Sequence, residues 1–236
     1  MSNSNNGPDT NDTQLLEAAG LTFRFRPASE QAQNVPVLLI MHGYGANDGD
    51  AYELVPLVDR KVAIVSVRGP GNYSDDPRGS FKWYDMDLNT CTAEPHAPDQ
   101  SLQQLLDFMP AFPGSAGLTV APDQFFVGGF SQGAVMSLAL VAARPALFAG
   151  AIIHSCPFSE ELAERLQAAD LRGKPFFVAH GHHDFLPIEA NGRALVALLQ
   201  QSGADVTYHE YDFGHETSLQ SRQDLADWLA HHLNQQ

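Results

Sequence analysis

Residues Gly129-Phe130-Ser131-Gln132-Gly133 set one hydroxyl between two glycines. An apolar run, Gln124–Gly128, precedes them and a helix-prone run, Ala134–Ala143, follows. A serine at a sharp strand-to-helix turn takes a strained backbone, and flanking glycines leave room for the tight bend. The helix start behind it directs positive potential toward charge developing on a substrate oxygen. That is the chemistry of a nucleophile aimed at a carbonyl. An incidental serine in a glycine-bracketed turn is the plainer alternative, and it leaves the strand–turn–helix context without a purpose.

A serine hydroxyl is a weak nucleophile and needs an adjacent base, itself oriented by an acid. On a scaffold of this kind the chain order is serine, then Asp or Glu, then His. Asp184 follows the apolar run Pro175–His180, and His215 follows Val206–Tyr211. Both fall just past the C-terminal ends of expected strands, where the sites of open α/β sheets gather. His209 is a rival base, but it lies inside the pattern Thr207–Tyr211, where side chains point to a sheet face rather than to a strand tip. Two backbone N–H groups should hold the oxyanion. Gln132, directly after the serine, supplies one. Tyr44, in His42-Gly43-Tyr44-Gly45 after Val35–Met41, is the candidate for the other.

These residues need a frame. Val35–Met41 (VPVLLIM) is nearly all apolar, as in a strand covered on both faces. Val62–Val67, Gln124–Gly128, Ala149–His154, Pro175–His180 and Val206–Tyr211 are further expected strands, and Leu21–Arg26 alternates like an edge strand. Helical stretches lie between them near 48–58, 99–109, 132–143, 159–169, 188–202 and 217–233. The alternation implies an α/β fold with a mostly parallel central sheet and helices on both faces. One domain over 15–236 is expected behind a disordered polar tail, 1–14. Residues 68–98 break the pattern with Pro70, Pro77, Pro95 and Pro98 beside Phe81, Trp83, Tyr84 and Met86. An ordered loop of that length is usually functional, and this one is expected to fold over something.

Composition narrows the partners. The 236 residues carry a formal net charge of −15, a field that repels phosphate backbones, so nucleic acid is excluded as a favoured partner. Cys91 and Cys156 are the only two cysteines, too few for a disulfide framework, and are expected as thiols. No apolar run reaches the ~18 residues of a membrane span. The first residues lack the basic and apolar regions of a signal peptide, so a cytoplasmic location is expected. A metal site is the competing chemistry: His180-Gly181-His182-His183-Asp184 begins a zinc-hydrolase signature, yet Phe185 stands where a further histidine belongs.

Taken together, MHGYGAND (41–48), KWYD (82–85), GGFSQGAVMSLALV (128–141), HSC (154–156), VAHGHHD (178–184) and VTYHEYDFGHE (206–216) resemble the carboxylesterase, lysophospholipase and acyl-protein thioesterase family of small α/β-hydrolases. The resemblance implies that fold, a Ser131–Asp184–His215 triad, an oxyanion hole from the Tyr44 and Gln132 amides, and Trp83 in the substrate pocket. It also implies a small-molecule ester as substrate and no cofactor, with thioesters or lysophospholipids as the alternative substrates. Monomer and homodimer stay open. The sequence departs from the family where Tyr44 replaces a usual leucine, where Phe185-Leu186-Pro187 replaces a valine-rich stretch, and along the loop 70–98. Trp83, Tyr84, Phe185 and Leu186 are expected to form the substrate pocket, and the bulk of Tyr44, Trp83 and Phe185 around it predicts a preference for short acyl chains.

Overall fold

The computed structural model describes residues 12–29, 34–74 and 79–234. Most of the expected N-terminal tail, residues 1–11, lies outside that set. Gln14 does not belong to a tail: it opens β1 (Gln14–Ala18), which pairs antiparallel with β2 (Leu21–Arg26). The two strands meet at Ala19-Gly20, both at positive φ (46° and 79°), the backbone of a tight two-residue hairpin turn. β2 is consequently not an edge strand. It is covered on one side by β1 and pairs on the other with β4 (Ala63–Val67).

The sheet has eight strands in the order β1-β2-β4-β3-β7-β8-β9-β10. Here β3 is Val37–Met41, β7 Phe125–Phe130, β8 Gly150–His154, β9 Pro175–Gly181 and β10 Asp205–Tyr211. From β4 to β10 every neighbour pair is parallel. A separate hairpin, β5 (Gly71–Ser74) with β6 (Ser80–Lys82), lies in the long loop that the sequence sets apart. From β3 the chain moves outward to β4 and then crosses back to β7 on the other side. The strand order reverses between β3 and β7, and at such a switch point the loops leave a crevice at the strands' C-terminal ends.

Alternation along β3 shows how the sheet is covered. Val37, Leu39 and Met41 join one apolar layer, Leu38 and Ile40 the other, and all five are buried. The first layer packs under α2 (Asp99–Ala116), α3 (Gln132–Ala143), α4 (Glu160–Gln167) and α5 (Ala194–Gln201). The second packs under α1 (Asp48–Tyr52) and α6 (Leu219–Leu233). α1 is shorter than expected because the backbone before Pro56 disfavours a helix. α2 is longer, continuing through Pro110 and Pro113 to a left-handed cap at Gly117. Its buried Leu105, Phe108, Met109 and Phe112 hold it to the sheet despite the lost backbone bonds.

Candidate active site

Ser131 sits at the C-terminal end of β7 with φ 54° and ψ −119°, a conformation L-residues avoid unless the surroundings impose it. The surroundings do so through missing side chains. A Cβ on Gly129 would lie 2.3 Å from the Gly133 carbonyl carbon, and one on Gly133 would lie 2.1 Å from the Met41 oxygen. α3 can therefore start hard against the end of β3 only if both positions are glycine. The Ser131 N–H donates to the His154 carbonyl at 3.0 Å, which fixes the turn to β8.

Asp184 lies just past the end of β9 and His215 past β10. His215 Nδ1 is 2.9 and 3.0 Å from the two Asp184 carboxylate oxygens. Asp184 Oδ1 also accepts the Leu186 N–H at 2.9 Å, a turn closed by the aspartate's own side chain. Burial alone would raise the Asp184 pKa, but the hydrogen bonds from His215 and the Leu186 amide outweigh it and hold the carboxyl below its ordinary range. The imidazole is packed between Phe130 and Phe185, with ring centroids 4.7 and 4.4 Å away. Gly181 allows this approach: a Cβ there would lie 2.3 Å from the Phe213 carbonyl oxygen and 2.4 Å from that of Gly214. Ser131 and His215 face one cavity, and no hydrogen bond joins them directly.

The loop after β3 is organised by His42, a role that no local sequence pattern marks. Gly69 N–H donates to His42 Nε2 at 2.9 Å, so that nitrogen is unprotonated and Nδ1 carries the hydrogen toward the Gly43 carbonyl at 2.7 Å. Burial pushes the His42 pKa down to about 4, which keeps the ring neutral. Among the described residues, the N–H groups of Tyr44 and Gln132 take no hydrogen-bond partner.

The cavity holds about 1090 Å³ and its walls include Tyr44, Tyr84, Met86, Leu88, Phe185 and Leu186. Trp83 does not line it. The indole is 3% exposed and lies beneath the site, with Nε1 donating to the His42 carbonyl at 2.9 Å. The buried Gln132 side chain completes this support, accepting from Trp83 N and donating to the Tyr84 carbonyl. Phe185 is 62% exposed at the mouth. Trp83 thus lies below the floor and Phe185 at the rim, while Tyr44, Tyr84 and Leu186 stand in the wall.

The residues of the metal reading do not converge. His180 turns Nε2 to the Leu186 carbonyl at 3.0 Å, although Asp184 lies 3.7 Å away. His182 is directed at Glu210, and Asp184 is engaged by His215. Among the described residues three metal-type ligands meet only at His96, Asp99 and Glu161, where the Arg165 guanidinium already bonds both carboxylates. His209 lies within β10, its ring stacked on Phe177 and Tyr211, and does not line the cavity.

The chain delivers a serine after β7, a carboxylate after β9 and an imidazole after β10 at the switch point of a mostly parallel sheet, and this defines an α/β-hydrolase. The protein belongs to the phospholipase/carboxylesterase family of these folds, whose model matches residues 25–233, and is accordingly a hydrolase of ester bonds. The rice (Oryza sativa subsp. japonica) protein named "Probable carboxylesterase Os04g0669500" is 26% identical over 91% of this chain and 85% of its own. Acyl-protein thioesterase 1 of Kluyveromyces lactis is 25% identical over 87% of this chain and 95% of its own. The carboxylesterase of Mesorhizobium loti shares the fold, with a TM-score of 0.75 and 22% identity over 93% of this chain and 99% of its own. Among the described residues no helix is long and apolar enough to cross a membrane.

Proposed function

We propose that this protein is a serine carboxylic-ester hydrolase acting through Ser131, His215 and Asp184. Nε2 of His215, oriented through Nδ1 by Asp184, takes the Ser131 proton as the hydroxyl oxygen attacks the ester carbonyl. The Tyr44 and Gln132 amides receive the oxyanion. His215 then passes the proton to the departing alcohol, leaving an acyl-enzyme that water hydrolyses by the same route. No step calls on a cofactor. The observation that carries the reading is the Asp184–His215 pair set at one cavity with a positive-φ serine. The two amides without partners fit the oxyanion role.

Ser131→Ala tests it. The variant should fold, fail to react with a fluorophosphonate probe, and lose on the order of 10⁶ in kcat, as for other triads stripped of their nucleophile. Hydrolysis of p-nitrophenyl acetate within tenfold of the native rate would end the proposal. A thioester is open to the same attack. The named thioesterase relative makes a thioester of matched acyl length the control to run beside the oxygen ester.

A further inference from the structure

The charges on the cavity wall share one sign. Asp50 comes from α1, Glu94 from the long loop, and Glu160 and Glu161 from the start of α4; among the described lining residues none is lysine or arginine. The basic groups bordering the site are already committed. Arg24 and Arg68 both bind Asp48, at 3.0 and 2.7 Å. Lys82 binds Asp85, and Arg165 binds Asp99 and Glu161. The positive end of α4, which would otherwise favour an anion, carries Glu160 and Glu161 in its first turn, and the Ser159 side chain accepts the Leu162 N–H there. The start of α3 behind Ser131 favours negative charge at the point where the oxyanion forms. A substrate bearing a second negative charge gains nothing from that spot and meets carboxylates from three directions.

We infer that the cavity selects esters whose acyl and alcohol parts are neutral or cationic and turns away those bearing a carboxylate or phosphate. This rests on the serine-esterase reading and narrows it: esters with an anionic head are poor substrates even where their apolar part fits. Glu94 and Glu160 are exposed and make no ion pair among the described residues, so they are the carboxylates free to act on an incoming charge.

The test uses three p-nitrophenyl esters of equal acyl length, ending in a methyl, a carboxylate or a trimethylammonium group. At about 10 mM salt, where charges act over ~30 Å, kcat/KM for the carboxylate ester should be at least tenfold below that of the neutral ester. The cationic ester should equal or exceed the neutral one. Salt screens the protein's whole field as well as the wall, so the local contribution is isolated by Glu94→Gln/Glu160→Gln, which removes two of 28 acids. That variant should narrow the anion-to-neutral gap severalfold. An anionic ester within twofold of the neutral one overturns the inference, as does a gap the double variant leaves unchanged. Turnover of the neutral ester checks the esterase reading separately: failure to hydrolyse any of the three overturns both, whereas a lost charge ratio with neutral activity intact overturns this inference alone.

Discussion

The floor and the wall of the cavity are built by different means. The floor comprises the ends of β3, β7, β9 and β10, and backbone contacts that exclude even a Cβ at Gly129, Gly133 and Gly181 determine its shape. The wall is the segment from Tyr84 to Pro98 with Phe185–Pro187, held by a few anchors such as Gln132 on Trp83 and Tyr84, and His96 N on Glu161. Leu88 and Phe185 on the wall are 58% and 62% exposed, whereas Gln132 and His42 at the floor are 0% and 1% exposed. The reacting groups thus stand on parts that cannot shift without breaking the sheet. The groups that meet the rest of the substrate stand on parts that can change with little loss of stability. Floor changes should therefore affect all esters alike, and wall changes should affect them unequally.

After the loss of the nucleophile itself, the largest expected effect is at Asp184. Asp184→Asn can still accept the Leu186 N–H but cannot hold a protonated Nδ1 and stabilise the imidazolium, so kcat should fall on the order of 10⁴, as in other triads. Methyl-ended and longer esters should lose the same factor. A loss that varied more than tenfold with acyl length would break the separation of floor from wall.

Gly181→Ala comes next. Its Cβ would force the Phe213–Gly214 backbone, and His215 with it, away from the end of β9. A displacement of ~1 Å in a catalytic group costs about 10² in rate, and that is the expected fall in kcat, with KM within threefold. Unchanged kcat would show that the loop does not depend on this contact.

Acid should weaken the fold through two buried neutral histidines, His42 after β3 and His154 at the end of β8. Burial lowers the His42 pKa to about 4 and that of His154 to about 3, and His154 has no hydrogen-bond partner on either ring nitrogen. A folded-state pKa below the unfolded value of about 6.5 means that the unfolded chain binds the proton first. The stability these rings allow is complete above about pH 6.5 and is lost progressively as pH falls from there, to about 4 for His42 and about 3 for His154. Each should remove about 2 kcal/mol between pH 7 and pH 5. His154→Leu should abolish one share, so urea unfolding at the two pH values should show a smaller drop than in the native protein. An equal drop would mean that His154 does not contribute.

These differences also mark what the sequence can tell. The turn at Ser131 is legible because its demands are local: two glycines and a strand before a helix. Asp184 and His215 are legible as positions because they follow strands with clear apolar runs. Gly181 and His42 are not, since their importance lies in contacts with Phe213 and Gly69, which are distant in the chain. The family resemblance implies a pocket role for Trp83, whereas a large aromatic in an ordered loop also suits core packing, and only the His42 carbonyl that its indole reaches decides between them. β1 escapes notice because QLLEA is short and mostly exposed, though Ala19-Gly20 carries the turn that makes its hairpin.

The smallest effect belongs to the wall. Leu88 and Phe185 line the cavity yet stay largely exposed, so truncating Leu88 removes little burial and should change stability by less than about 0.5 kcal/mol. For a substrate the loss depends on reach. An ester too short to touch Leu88 is unaffected, whereas a longer chain forfeits the contact, and each methylene that leaves apolar cover is worth about 0.8 kcal/mol. Leu88→Ala should therefore leave kcat/KM for p-nitrophenyl acetate unchanged within twofold and lower it by about three- to tenfold for an octanoate ester. A cavity of about 1090 Å³ with Trp83 beneath its floor has room for that chain, so the native enzyme should turn over octanoate. Equal losses on both esters would assign Leu88 to the floor in function despite its exposure. No loss on either would direct the acyl chain to another part of the cavity wall, such as that of Phe158 and Pro187.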